Sequence, residues 1–107
     1  MVYVYNDNNK IIGQVKYNNN LDNFDGHVFS CGCFGRHKGL CKLKNGKFAL
    51  IYGTDWFKES NYAKIISPED AAQEVIKSGN IKLLEDAKFR EIKPIVDNIL
   101  YGPFCEI

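Results

Sequence analysis

Between residues 31 and 41 the chain places Cys31, Cys33, His37 and Cys41 in the pattern C-x-C-x3-H-x3-C. These are the sulfur and imidazole donors that zinc prefers, and zinc needs four of them converging in a tetrahedron. Zinc knuckles usually space paired cysteines about two to four residues apart, whereas one residue separates Cys31 from Cys33. A reduced cysteine also packs as a small hydrophobe. That reading is adopted, with no cofactor assigned and a zinc-stabilised module kept as the third alternative. Nucleophilic Cys–His chemistry needs a thiolate held beside an imidazole and a further group to orient the base. His27 and His37 flank the cysteines, but no orienting group stands out. Asp22, Asp25 and Asp55 fall in turn-forming contexts, and no HExxH, GxSxG or P-loop pattern occurs. The chain reads as non-enzymatic.

The same stretch is rich in cations. In Gly35-Arg36-His37-Lys38-Gly39 two glycines flank three basic side chains, a loop whose backbone N–H groups could form an anion nest. Lys42, Lys44 and Lys47 follow closely, and Phe34, Tyr52, Trp56 and Phe57 offer aromatic faces on which a single-stranded base could stack. Three readings compete: a solvated turn with gatekeeping charges, a surface for an acidic protein, and a surface for nucleic acid. Trp56, the only Trp, either anchors its polar loop to the core or is an interface hot spot. The candidate partner-binding set is Arg36, His37, Lys38, Lys42, Lys44, Lys47 and Trp56.

Elements must position these residues, and the chain divides into a β half and an α half. Val2–Tyr5 and Ile11–Tyr17 read as a hairpin closed by Asn6–Asn9, with Gly13 marking a bulge. His27–Cys33 is a third strand candidate. Asn45-Gly46 between alternating apolar residues is a strong hairpin signal. A two-residue loop there sets Lys44 opposite Lys47, Leu43 opposite Phe48, Lys42 opposite Ala49 and Cys41 opposite Leu50. One face then carries Leu43, Phe48, Cys41 and Leu50 into the core, and the other presents Lys42, Lys44 and Lys47 together. Tyr62–Ile66 reads as a last strand. Ser67-Pro68-Glu69-Asp70 supplies an N-cap, a first-turn Pro and acidic residues for the helix dipole, and Gly79 supplies the stop. A short second helix over Ile81–Lys88 and a third with Pro94 in its first turn complete the reading.

At 107 residues the chain is expected to be one domain, residues 1–107. The predicted class is α+β: an antiparallel sheet of about five strands packed against two or three C-terminal helices. A formal net charge of +1 argues against both a strongly acidic nucleic-acid mimic and a strongly basic duplex binder. The opening residues lack a signal-peptide pattern and no apolar run could span a bilayer, so the expected setting is cytoplasmic, with reduced thiols and no membrane partner.

The run GRHKGLCKLKNGKFALIYGTDWFKESNYAKIISPEDAAQEVIKSG, Gly35 to Gly79, resembles small uncharacterised proteins carried by phages and plasmids of low-GC bacteria. That pool includes anti-CRISPR proteins and other inhibitors of host defence. The resemblance implies a compact, non-enzymatic protein that acts stoichiometrically by covering a working surface of a host protein such as a CRISPR effector. It assigns no binding residues. The expectation is a binding protein presenting its basic hairpin to a partner with an acidic or nucleic-acid-binding surface. The alternative is a small single-stranded nucleic-acid-binding module using the same face.

Overall fold

A computed structural model describes residues 1–21, 36–55 and 58–101. The elements run β1 (Val2–Tyr5), β2 (Ile11–Val15), β3 (Arg36–Lys42), β4 (Phe48–Thr54), β5 (Tyr62–Ile66), α1 (Pro68–Ser78), two 3-10 turns (Ile81–Glu85 and Ala87–Ile92) and α2 (Lys93–Tyr101). The α+β class is as expected. The strand candidate His27–Cys33 lies outside the described residues.

The sheet has the order β2-β1-β5-β4-β3 and is mixed, which corrects the expectation of a purely antiparallel one. β1 pairs with β5 in parallel, Val4 opposite Ala63 and Tyr5 opposite Lys64. The reason lies in the chain after β2. Residues 16–21 cross one face of the sheet and reach its far edge, where the main-chain N–H of Leu21 donates to the carbonyl of Lys38 (3.1 Å). The antiparallel set β3-β4-β5 is therefore built inward from that edge, and β5 meets β1 running the same way.

Both hairpin loops share one construction. Asn6 N–H donates to Lys10 C=O and Asn9 N–H to Asn6 C=O, while Leu43 N–H donates to Lys47 C=O and Gly46 N–H to Leu43 C=O. Asn9 (φ 61°) and Gly46 (φ 85°) take the left-handed position. This is the three-residue loop with a left-handed last residue. Asn45 stays at negative φ and its Oδ1 accepts the Lys47 N–H (3.0 Å). The expected two-residue Asn-Gly turn would need positive φ at both positions. The observed loop shifts the register by one, so Lys42 faces Phe48, Cys41 faces Ala49 and Leu40 faces Leu50. In β2, Gly13 pairs with Val4 and Ile11 with Tyr5, leaving Ile12 as the extra residue of a bulge beside the glycine.

Two cores result, one on each face of the sheet. Leu40, Phe48 and Leu50 pack with Ala71, Ala72 and Val75 of α1, Leu84, Phe89 and Ile92 of the 3-10 turns and Val96 of α2. On the other face Val2, Val4, Ala49, Ile51 and Ala63 pack with Val15, Tyr17, Cys41, Leu43 and Ile65. The crossing strap 16–21 lies flat here because two facing residues lack a Cβ. A Cβ on Gly39 would collide with the Asn18 main chain, and one on Gly53 with the Tyr17 ring.

The α half follows its sequence signals. Ser67 Oγ accepts from the Asp70 N–H (3.1 Å), and left-handed Gly79 (φ 76°) closes α1 with its N–H on the Ile76 carbonyl. The expected helix Ile81–Lys88 is instead split into 3-10 turns at Asp86, whose side chain accepts from the Lys88 N–H (2.9 Å). Pro94 sits in the first turn of α2, as expected.

Candidate functional site

β3 carries most of the predicted cations, and strand alternation decides where they go. Arg36 to Gly39 are strand residues paired with Ile51–Thr54, so this segment is not the glycine-flanked loop and anion nest expected from its sequence. Its amides belong to a ladder. Successive side chains of a strand point to opposite faces, so His37 and Cys41 share the strap face while Lys38 and Lys42 share the helix face. Lys38 Nζ lies 3.2 Å from Glu74 of α1, with both side chains largely buried, and sits over the Tyr52 ring. Lys42 Nζ lies 2.8 Å from Glu91 of the second 3-10 turn. These two lysines help fasten the sheet to the helices.

His37 and Lys38 meet at one end of the sheet, where they line a cavity of about 320 Å³ with Tyr52, Thr54, Glu59 and Tyr62. Charge is satisfied locally there. His37 Nε2 lies 2.8 Å from Asp55 Oδ2, and Thr54 Oγ1 donates to Glu59 (2.6 Å). The Tyr52 ring is stacked on Tyr62, centroids 5.0 Å apart. Burial raises the Tyr52 hydroxyl pKa, and the neighbouring Tyr62 and Glu74 push it the same way.

The other end differs. The register shift places Lys47 on the strap face and leaves Lys44 in the turn, so Lys42, Lys44 and Lys47 do not form the single flat face expected. They nonetheless converge on a groove of about 980 Å³, joined by Lys16 from the end of β2 and Lys88 from the second 3-10 turn. Val4, Val15, Leu43 and Ile65 give this groove apolar lining, and Tyr17 is its one aromatic among the described residues. No carboxylate lines it among the described residues. Among the described residues Lys16, Lys44, Lys47 and Lys88 have no ion-pair partner. None of the five strands contains Asp or Glu, so no strand neighbour supplies these lysines with a counterion.

The sequence missed Lys16 and Lys88. Neither has a local signal, because the strap and the 3-10 turn that deliver them to the groove are set by tertiary packing. Of the remaining predicted residues, Arg36 opens β3 opposite Thr54, and Trp56 lies outside the described residues, as do Phe34 and Phe57.

The metal reading loses its geometry where it can be followed. His37 and Cys41 are four residues apart on one strand, so their Cα atoms lie about 13 Å apart. Cys41 Sγ–H donates to the Ala49 carbonyl (3.7 Å), while His37 faces Asp55. Among the described residues no group of three potential ligands gathers, and Cys31 and Cys33 lie outside them. No helix among the described residues is long and apolar enough to cross a membrane.

Compared with protein-family models, curated proteins and solved structures, the chain matches none.

Proposed function

We propose that this chain is a small non-enzymatic binding protein that engages an acidic surface of a partner protein through the groove between β2 and the β3–β4 hairpin. The observation that carries the reading is the convergence of Lys16, Lys42, Lys44, Lys47 and Lys88 on one concavity that, among the described residues, no carboxylate lines. Juxtaposed like charges are mildly unfavourable in the free protein, and an anionic partner relieves that repulsion while the apolar lining is covered. The sign of the groove favours an acidic surface over a nucleic-acid-binding one, which would itself be basic. A single-stranded nucleic acid is the second reading. It fits less well, because sequence-independent strand binding draws on a row of stacking aromatics and, among the described residues, the groove offers Tyr17 alone. Stoichiometric inhibition of a host protein, a CRISPR effector being one example, is the role that the resemblance of Gly35–Gly79 implies for such a binder.

The test uses fluorescence anisotropy at low salt with labelled poly-Glu, poly-Gln and single-stranded DNA. Wild type should bind poly-Glu in a salt-sensitive way and poly-Gln not at all. The Lys16→Glu/Lys44→Glu/Lys47→Glu variant should lose at least about tenfold. A Lys64→Glu/Lys77→Glu/Lys82→Glu variant, with the same net charge but an intact groove, should keep its affinity. Equal losses in the two variants would reduce the effect to bulk charge and overturn the site. Tighter binding of DNA than of poly-Glu would favour the second reading.

A further inference from the structure

The sheet has two edges, and the chain treats them differently. β3 is sealed. Asn20 Nδ2–H donates to the Leu40 carbonyl (2.9 Å) and Asn20 Oδ1 accepts the Leu40 N–H (2.7 Å), while the Leu21 N–H takes the Lys38 carbonyl. A primary amide thus completes the ladder as a neighbouring strand would. β2, at the opposite edge, has no such cover among the described residues.

The phase of the first hairpin fixes which groups β2 turns outward. Asn6 N–H points at Lys10 C=O. By alternation along β1, Val4 and Val2 also point toward β2 and exchange hydrogen bonds with Gly13 and Val15. Gln14, opposite Tyr3, therefore aims its N–H and C=O away from the sheet. Ile11 to Gln14 are all exposed, Ile11 and Ile12 to 55% and 45%. An edge of unpaired amides is a template for another strand, and partner segments use such edges by strand addition.

Charge selects the occupant. Lys10 precedes β2 and Lys16 follows it. A second copy would bring the same Lys10 and Lys16 to this edge and no carboxylate, since residues 8–20 contain none, so it leaves both lysines without a counterion. An acidic extended segment meets the opposite situation. Ile12, Gly13, Gln14 and Lys16 also line the lysine groove, so a strand laid on β2 runs along the groove's rim and turns alternate side chains toward its cations.

We propose that β2 receives an extended acidic segment of the partner protein as a sixth strand, hydrogen-bonded to the outward N–H and C=O of Gln14, with carboxylates of the segment meeting Lys16 at the groove rim. This rests on the groove being the partner-binding site and adds the backbone geometry by which it is read.

The probe is a labelled peptide alternating Glu and Val, measured at low salt as the parent and as two N-methylated forms, one for each alternating set of amides. N-methylation keeps every charge and removes ladder donors. A strand added to an edge presents only one alternating set of N–H groups to it. One methylated form should therefore bind at least about tenfold more weakly than the parent, because it loses the N–H that donates to the Gln14 carbonyl and sets a methyl group against the edge, and the other should bind within about twofold of it. Gln14→Pro, which removes an outward N–H and leaves the β1–β2 bonds intact, should weaken the parent peptide comparably with an unchanged far-UV spectrum. Equal behaviour of the two methylated forms, whether both bind or both fail, overturns strand addition while parent binding leaves the groove reading standing. Failure of the parent itself to bind overturns both. Concentration-dependent dimerisation abolished by Gln14→Pro would make a second copy the occupant and overturn the acidic segment.

Discussion

Asn20→Ala tests the sealed edge most directly. Leu40 is fully buried, and the Asn20 amide satisfies both its N–H (2.7 Å) and its C=O (2.9 Å). Truncation orphans the N–H, which costs about 1–3 kcal/mol when buried. The carbonyl keeps only a long contact from Asn18 Nδ2 at 3.5 Å, adding about 1 kcal/mol. The sum is about 2–4 kcal/mol, a large share of the roughly 5–15 kcal/mol that holds such a domain together. Unfolding entropy of about 2.1 cal/mol/K per residue over 107 residues gives about 0.22 kcal/mol/K, so Tm should fall by about 9–18 °C. Thermal and urea unfolding measure the loss, and hydrogen exchange at the Leu40 amide should accelerate with it. Asn20→Asp keeps the acceptor for Leu40 N–H but loses the donor to the carbonyl. A loss below about 0.5 kcal/mol in Asn20→Ala, with Leu40 still protected, would refute the account of how this edge is closed.

Gly39→Ala should cost about 1–3 kcal/mol, because the new methyl group meets the Asn18 main chain; limited proteolysis should then cut residues 16–20 faster. Ser67→Ala should cost about 1 kcal/mol by leaving the Asp70 N–H without its cap, measured by urea unfolding. Burial raises the Cys41 thiol above its ordinary value of 9.0, against smaller opposing pulls from the Ala49 main chain and the Lys88 ammonium. The unfolded thiol therefore ionises at lower pH than the folded one. Stability linked to Cys41 is complete below that ordinary value and is lost as pH rises through it toward the higher folded value. Urea titrations of reduced protein across that range should show a steeper alkaline decline in wild type than in Cys41→Ala.

The sequence was most legible where local chemistry decides structure. Ser67, Pro68 and Gly79 delimit α1 because caps and left-handed stops act within a turn of the residues that supply them. Gly13 marked its bulge for the same reason. The β3–β4 register failed on one fact. Asn45-Gly46 is compatible with two turn types that differ by one residue of pairing, and Asn45 uses its side chain to cap Lys47 instead of adopting positive φ. Arg36–Gly39 looked like a loop because glycines are costly in strands. Here Gly39 is the strand residue that lets the strap pass, a requirement set by Asn18, more than twenty positions away. The parallel β1–β5 pair was hidden for a related reason, since nothing local reports that residues 16–21 cross the sheet. Lys42, Lys44 and Lys47 were found as a group, yet Lys16 and Lys88 became visible only with that crossing.

Near-zero net charge carried less information about the site than it first suggests, because a sum says nothing of placement. From Glu69 to Asp97 the helical half carries seven carboxylates, at positions 69, 70, 74, 85, 86, 91 and 97, and the strands carry none. The acids facing the sheet are taken up where lysines cross to the helix side, Glu74 by Lys38 and Glu91 by Lys42. Asp97 pairs within its own helix with Lys93. Around Val4, Leu43 and Ile65 the groove is left with Lys16, Lys44, Lys47 and Lys88, which have no ion-pair partner among the described residues. A one-residue change of register would turn Lys38 and Lys42 to the strap face of the sheet and strand Glu74 and Glu91. The three-residue loop at Lys44-Asn45-Gly46 therefore decides which lysines of β3 meet the carboxylates of the helical half.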